Sequence, residues 1–236
     1  MDETPARGRP RSETARRAVL DAALRLCQSG GYQALTIKGI AETAGVGRQT
    51  VYRWWPAKQD VLIDALRDLG LRKAEHLDPD TGHTLRDVRS LLTATFALTQ
   101  QVTGKALIGL MAEAQHDPDL SHRLQSTVIG PRRHALRTLL ARGVERGELS
   151  DADVSLDLVV DFAFGTMWYR LISYHGPVDA DLAGQITDAV ATLLHADEGP
   201  GAGAVPGVGA AGHGDAPPSG RPQAPVSPGA ARPTAD

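Results

Sequence analysis

The sequence predicts an all-α fold, and three observations predict it. Apolar side chains recur at helical spacing, as in Leu20, Ala23, Leu24 and Cys27 at i, i+3, i+4 and i+7. Between Leu85 and Leu194 no stretch shows the alternating, β-branched pattern of a strand. The interruptions fall on glycine and proline, residues that end helices.

Composition narrows the class further. A chain of 236 residues with 42% apolar content holds one large domain or two smaller ones. It contains no run of apolar residues long enough to span a membrane. The opening MDETPARGRPRSE lacks the apolar core of a secretory signal. Cys27 is the only cysteine, which excludes an intramolecular disulfide and fits a reducing cytoplasm. Its helical register marks it as a small buried core residue rather than a reactive thiol. The net charge of −3 conceals an asymmetry. Residues 1–74 carry 13 Lys and Arg against 8 Asp and Glu, and residues 75–236 carry 12 against 20. A basic first part on an acidic remainder suits a protein that meets phosphates with one end only.

In chain order, residues 1–11 form a polar arm with Arg7, Arg9 and Arg11, expected to be disordered and suited to phosphate or minor-groove contact. A first helix is expected over Glu13–Ser29, with Ser12 as N-cap and Gly30-Gly31 as its stop. In the stretch Thr36–Lys58, Ile37, Ile40, Ala41 and Ala44 make one face of a short helix that Gly45 ends. A second short helix covers about Arg48 to Trp54, with Val51 and Trp55 inward and Arg48, Gln49 and Tyr52 on another face. Two helices, a tight glycine turn and a polar outer face match the helix-turn-helix plan, whose second helix lies in the DNA major groove. A fourth helix starts near Ala57 behind Pro56 and runs to about His76, with Val61, Leu62, Ala65, Leu66 and Leu69 inward. Residues 12–75 are thus expected to be one small helical DNA-binding unit with its own core.

Residues 80–196 read as a second helical domain. Helices are expected over Thr84–Gln101, Lys105–His116, Asp119–Arg146, Asp153–Tyr174 and Asp179–Leu194. A break is expected at Thr103-Gly104, and Gly130-Pro131 should kink or divide the third of these helices. Residues 197–236 differ in kind. Gly and Pro supply 17 of the last 38 residues and three valines are the only large apolar side chains, so a disordered tail is expected.

Thr36, Ile40, Ala41, Ala44-Gly45-Val46, Val51-Tyr52, Trp55-Pro56, Lys58 and Leu62 stand in the order and spacing of the TetR/AcrR family of transcriptional regulators. The chain resembles that family over about residues 12–73. Arg146-Gly147-Glu148-Leu149 is similar to a turn of one of its subgroups. Lys38-Gly39 and Trp54 depart from the common family residues, and Gly47 stands at an N-cap where the family usually has Ser or Thr. The resemblance implies a TetR-like architecture of about nine helices, a helix-turn-helix domain followed by a helical bundle for ligand binding and dimerisation. It places DNA contacts at Thr36, Lys38, Gly47, Arg48, Gln49, Thr50, Tyr52, Arg53 and Lys58. Gln49 and Arg48 suit base edges, adenine and guanine respectively, while Tyr52 and Lys58 suit phosphate.

The family pairs through its last two helices. Here that implies a homodimer interface of Leu158, Phe162, Gly165, Tyr169 and Ile172 with Leu182, Ile186, Val190 and Leu193, Gly165 being a point of close approach. A small-molecule effector would enter the bundle near Phe96, Met111, Leu124 and Trp168 and favour the dimer geometry that leaves DNA. The expected protein is a cytoplasmic repressor, released from a palindromic operator by its effector, with no cofactor and no enzymatic activity. A metal-dependent sensor or enzyme is the first alternative. His76, His83, His116, Asp117 and His122 are its only candidate ligands, and their spacing does not give a one-face pair. A nonspecific architectural DNA-binding protein is the second.

Overall fold

The computed structural model describes residues 9–73 and 78–195. The arm over residues 1–8, His76 and the tail from residue 197 lie outside the described residues. The chain enters on α1 (Arg9–Ala34), so Ser12 lies inside the helix rather than capping it, and residues 9–11 of the expected arm are helical. The helix breaks at Gly31, whose φ of 79° and ψ of 169° leave the helical region, and a last turn follows to Ala34. Val19, Leu20, Ala23, Leu24 and Cys27 are buried along its inner face. Burial raises the Cys27 thiol above its ordinary value, with Lys105 and Lys58 pulling it partly back.

Three shorter helices follow, α2 (Ile37–Ala44), α3 (Arg48–Trp54) and α4 (Lys58–Arg72); α2 and α4 pack on α1, and α3 packs on α2. The core of these four helices is not closed by them alone. α6 (Gly104–Ala114) and α7 (Pro118–Leu124) contribute Ala106, Leu107, Leu110, Ala114, Leu120 and Leu124 to the same apolar cluster. A second cluster joins α5 (Thr84–Leu98), α8 (Gly130–Glu145), α9 (Leu156–Ser173) and α10 (Ala180–Leu193). Trp168 packs against both. No strand occurs among the described residues.

Two expected boundaries take another form. The chain does not break at Thr103-Gly104. It stays helical through a π turn, Thr99–Thr103, and a second π turn, Gln125–Ile129, joins α7 to α8. In each, a glycine N–H donates five residues back, from Gly104 to the Thr99 carbonyl and from Gly130 to the Gln125 carbonyl. A Cβ at either glycine would lie 2.8 Å from that same oxygen, so the wide turn needs glycine there. Pro131 has no N–H to give to an ordinary helical bond, which favours the wider turn beside it. The helix expected from Asp153 begins later, at Leu156, because Ser155 caps it by accepting the Leu158 N–H at 3.3 Å.

The Arg146–Leu149 turn joins α8 to the start of α5. Glu148 accepts the Thr84 N–H at 2.7 Å, while Arg146 donates to Glu148 at 2.5 Å and to the Thr84 hydroxyl at 2.8 Å. Leu149 is buried in the second cluster. Partial burial pushes the Glu148 carboxyl up, but the Thr84 and Arg146 donors outweigh that and hold it below its ordinary 4.5.

The first four helices are tied to α6 and α7 by polar bonds. Glu113 accepts from the Tyr32 hydroxyl at 2.6 Å and from Gln59 at 2.8 Å. Burial, and then the bond to Glu113, raises the Tyr32 phenol, so it remains a donor. Lys105 donates to the Gln28 carbonyl at 2.7 Å, and Arg123 on α7 pairs with Asp60 on α4. At the centre of this contact Tyr32 lies directly on Gly109. A Cβ there would fall on Tyr32 Cβ and Cγ, and the first of these cannot move without its backbone.

Gly109→Ala is therefore expected to lower unfolding stability by about 1–3 kcal/mol, the usual range for overpacking, as measured by urea denaturation. A pH series tests the Glu148 cap. Its depressed carboxyl contributes stability that is full above about 4.5 and is lost as pH falls through the lower folded value. Glu148→Gln should flatten that acid limb in denaturation curves between pH 7 and 3.

Candidate nucleic-acid interface

The helix pair is built from its caps outward. Thr36 opens α2 by accepting the Gly39 N–H at 3.0 Å, and its hydroxyl proton remains available to an outside acceptor. Gly45 closes α2 in the left-handed region, with φ of 68°, and the Val46 N–H returns to the Ala41 carbonyl at 3.0 Å. Gly47 starts α3 with no side-chain cap, leaving the amides of its first turn without a side-chain acceptor.

α3 is held by its inner residues. Val51 has no exposure and Trp55, just past the helix end, is buried. The Trp55 indole donates to Asp64 at 2.9 Å, and Arg16 donates to the same carboxylate oxygen at 3.3 Å. Trp54 packs edge-on against Trp55 with centroids 5.4 Å apart. With that side fixed, Arg48, Gln49, Tyr52 and Arg53 are exposed on the other, Tyr52 to 50%, and Thr50 is half-buried. The Arg53 guanidinium lies 5.4 Å from the Trp54 ring centroid, a cation–π contact that restrains it. Lys38 is exposed on α2 and only loosely paired with Glu42, at 3.9 Å. Two arginines, a lysine, a glutamine and a phenol thus stand on the exposed side of a rigid helix pair.

Lys58 stands apart from this group. Its ammonium donates to the Tyr32 carbonyl at 3.1 Å and lies 4.2 Å from the Tyr32 ring centroid, so it points back toward α1. The carbonyl at the α1 break draws it there. A phosphate would have to displace that bond.

A cavity of about 800 Å³ lies between the two apolar clusters. Its wall includes Leu98, Leu107, Val128, Phe164, Met167 and Trp168, with Thr95, Thr99 and Thr103 along one side. Of the four residues expected to form a pocket, Trp168 alone lines it. Phe96 is buried in the second cluster and Leu124 in the first, while Met111 packs against the first. Apolar periodicity finds core, and these three are core. The missed signal was polar: Thr95, Thr99 and Thr103 recur every four residues, and Arg132-Arg133 follow Pro131.

The expected pairing surface divides. Leu158 (60%), Phe162, Tyr169 (65%) and Ile172 are exposed along α9, Gly165 lies open among them, and Leu193 is exposed on α10. Leu182, Ile186 and Val190 are instead buried inside the subunit, where α10 packs on α5, so they are not surface residues. No group of three potential metal ligands occurs among the described residues, and none of their helices is long and apolar enough to cross a membrane.

Comparison with known proteins follows the same division. Residues 19–65 match the model for bacterial regulatory proteins of the tetR family, and residues 78–190 match the tetracyclin repressor-like C-terminal domain. The uncharacterized HTH-type transcriptional regulator YdeS of Bacillus subtilis is 31% identical over 166 residues, 70% of this chain and 82% of that protein. The DNA-binding transcriptional repressor TetR of Mycobacteroides abscessus is 27% identical over 78% of this chain and 95% of its own. Among solved structures, the TetR family transcription regulator SCO0332 superposes with a TM-score of 0.60 at 28% identity, covering 77% of this chain and 97% of that one. FadR from Bacillus subtilis, solved in complex with stearoyl-CoA, shares the fold with a TM-score of 0.61 at 18% identity, over 75% of this chain and 98% of that one. The match runs through the helix pair and on through the bundle behind it, and this chain accordingly belongs to the TetR family of transcriptional regulators.

Proposed function

We propose that this protein is a cytoplasmic, non-enzymatic transcriptional repressor that binds a pseudo-palindromic operator as a homodimer and is released by a small-molecule effector. The observation that carries the DNA reading is the exposed face of α3, where Arg48, Gln49 and Tyr52 stand free while Val51 and Trp55 anchor the helix behind them. Arg48 and Gln49 have the donor and acceptor groups for guanine and adenine edges. Thr36, Lys38, Tyr52 and Arg53, with the Gly47 amide and the Thr50 hydroxyl, serve the phosphates on either side. The same division of labour lets base contacts choose the sequence while phosphate contacts set register.

One such helix reads too few base pairs for selectivity, and two-fold pairing supplies the second half-site. The apolar stripe of Leu158, Phe162, Tyr169 and Ile172 on α9, with Leu193 beside it, supports pairing through that face. Gly165 allows close approach at its middle. The cavity between the two clusters supports an effector site, since its volume of about 800 Å³ lies within the usual range for small-molecule pockets. α4, which follows the reading helix, lines that cavity with Leu66, Arg67, Gly70 and Leu71. An effector that prefers one placement of α4 shifts the population between DNA-binding and released dimers.

Genome-wide footprinting followed by titration on the recovered site is the direct test. Operator DNA is expected to bind at least about a thousandfold more tightly than random DNA at the same salt; equal affinities would leave only an architectural role. Tyr52→Ala should abolish operator binding with an unchanged melting temperature, because the ring is half exposed. Arg53→Ala should weaken all sequences alike and lower the salt slope by about 1, read from affinities at several salt concentrations. Phe162→Glu should yield monomers in analytical ultracentrifugation and lose the operator with them; a persisting dimer would move the interface elsewhere.

A further inference from the structure

The cavity wall is apolar over most of its extent, and one group in it is out of keeping. Arg132, in the first turn of α8, lines the cavity and is only partly exposed. Burial alone accounts for the lowering of its guanidinium pKa. Its Nη1 donates to the Thr95 hydroxyl at 3.1 Å, and no carboxylate pairs with it among the described residues. Asp161 lines the same cavity, but it is held by Arg133 at 2.5 Å. A guanidinium stays protonated and carries five N–H donors. Most of those donors therefore have no protein acceptor among the described residues, and none of them is both sealed from solvent and unpartnered.

The rest of the lining adds to the same field. Arg67 lies on the exposed side of α4 with no ion-pair partner among the described residues. With Arg132, Arg133 and Asp161 it gives the lining a formal charge of +2. Inside, Arg132 alone is uncompensated, which fits one negative charge rather than several. The threonine row does not ask for a polar ligand. Thr99 donates to the Thr95 carbonyl at 2.8 Å and Thr103 to the Leu98 carbonyl at 3.5 Å, so both turn to their own helix. What remains for a ligand is one fork of N–H donors beside the Thr95 hydroxyl and a wall of Leu, Val, Phe, Met and Trp side chains.

We propose that the effector is an amphipathic monoanion, an apolar body ending in a carboxylate, whose head is received by Arg132 beside Thr95. The fork geometry suits a carboxylate through two parallel N–H···O bonds. The inference rests on the cavity being the effector site.

Three probes of one chain length separate the possibilities: dodecanoate, dodecan-1-ol and dodecyltrimethylammonium, each below its micellar concentration, titrated into the full-length protein with and without operator DNA. Dodecanoate is expected to bind at least about tenfold more tightly than the alcohol and to release the operator. Arg132→Met should bring dodecanoate down to the alcohol's affinity without changing the alcohol's, and Arg132→Lys should restore part of the difference. Without ligand, Arg132→Met should melt no lower than the wild type, whereas an arginine serving structure alone would leave a destabilised variant. Equal binding of acid and alcohol, a carboxylate preference that survives Arg132→Met, or no binding by any probe overturns the proposal. If the alcohol or the ammonium releases the operator instead, the cavity remains the effector site and the anionic head falls. If dodecanoate binds through Arg132 and the operator stays bound, the ligand class stands and the effector role falls.

Discussion

The contact between Tyr32 and α6 is the constraint on which the placement of the reading helix depends. Tyr32 packs where Gly109 has no side chain, and its hydroxyl shares the Glu113 carboxylate with Gln59 at the start of α4. A partly buried carboxylate with two donors is satisfied; with one removed it is left costly in a medium of low dielectric. The end of α1, the start of α4 and the face of α6 are therefore held by one group. Asp60, the residue after Gln59, pairs with Arg123 and ties α4 to α7 as well. Lys58 joins it from the other side through the Tyr32 carbonyl.

This junction explains why the first four helices do not make a closed core. α1 buries its apolar face under α2 and α4 and, on its remaining side, under Leu107 and Leu110 of α6. A displacement of α6 is thus a displacement of the surface on which α1 and α4 rest. The cavity lies against the same elements, with Leu107 on α6, Leu66 on α4 and Trp168 on α9 in its wall. Packed interiors shift between discrete arrangements rather than deform smoothly. The cavity wall and the surface that supports α1 and α4 therefore share residues, Leu66 and Leu107 among them.

The two π turns have a part in making the space. Each inserts an extra residue into a helical turn and so changes which side chains face inward beyond it. After the first, α6 presents Leu107 and Leu110 to the first cluster while α5 presents Phe96 to the second. The second carries Val128, Ile129, Pro131 and Arg132 along the cavity. No single helical period continues through such a rod, and periodicity alone mistakes Phe96 and Leu124 for pocket when they are core.

Much of the fold and of the DNA-facing surface was legible in the chain. The caps at Thr36 and Gly45, the inward Val51 and Trp55, and the exposed Arg48, Gln49 and Tyr52 are local matters, settled within one or two helical turns by side-chain chemistry and backbone freedom. So are the helical class and most helix ends. Other features depended on residues far apart in sequence. Lys58 turns inward because the Tyr32 carbonyl, just past the Gly31 break, accepts its ammonium beside the Leu35 N–H. Leu182, Ile186 and Val190 lie inside because α10 rests on α5, while the equally apolar Leu158 and Phe162 remain outside. The uncompensated Arg132 becomes visible only once Asp161 is seen to be taken by Arg133. The sequence by itself determined which segments are helices and which polar side chains share the outer face of α3, because spacing and capping act locally. Only the tertiary structure decided which apolar stripe is core, which is surface and where a charge stands alone, because burial is a property of neighbours brought from elsewhere in the chain.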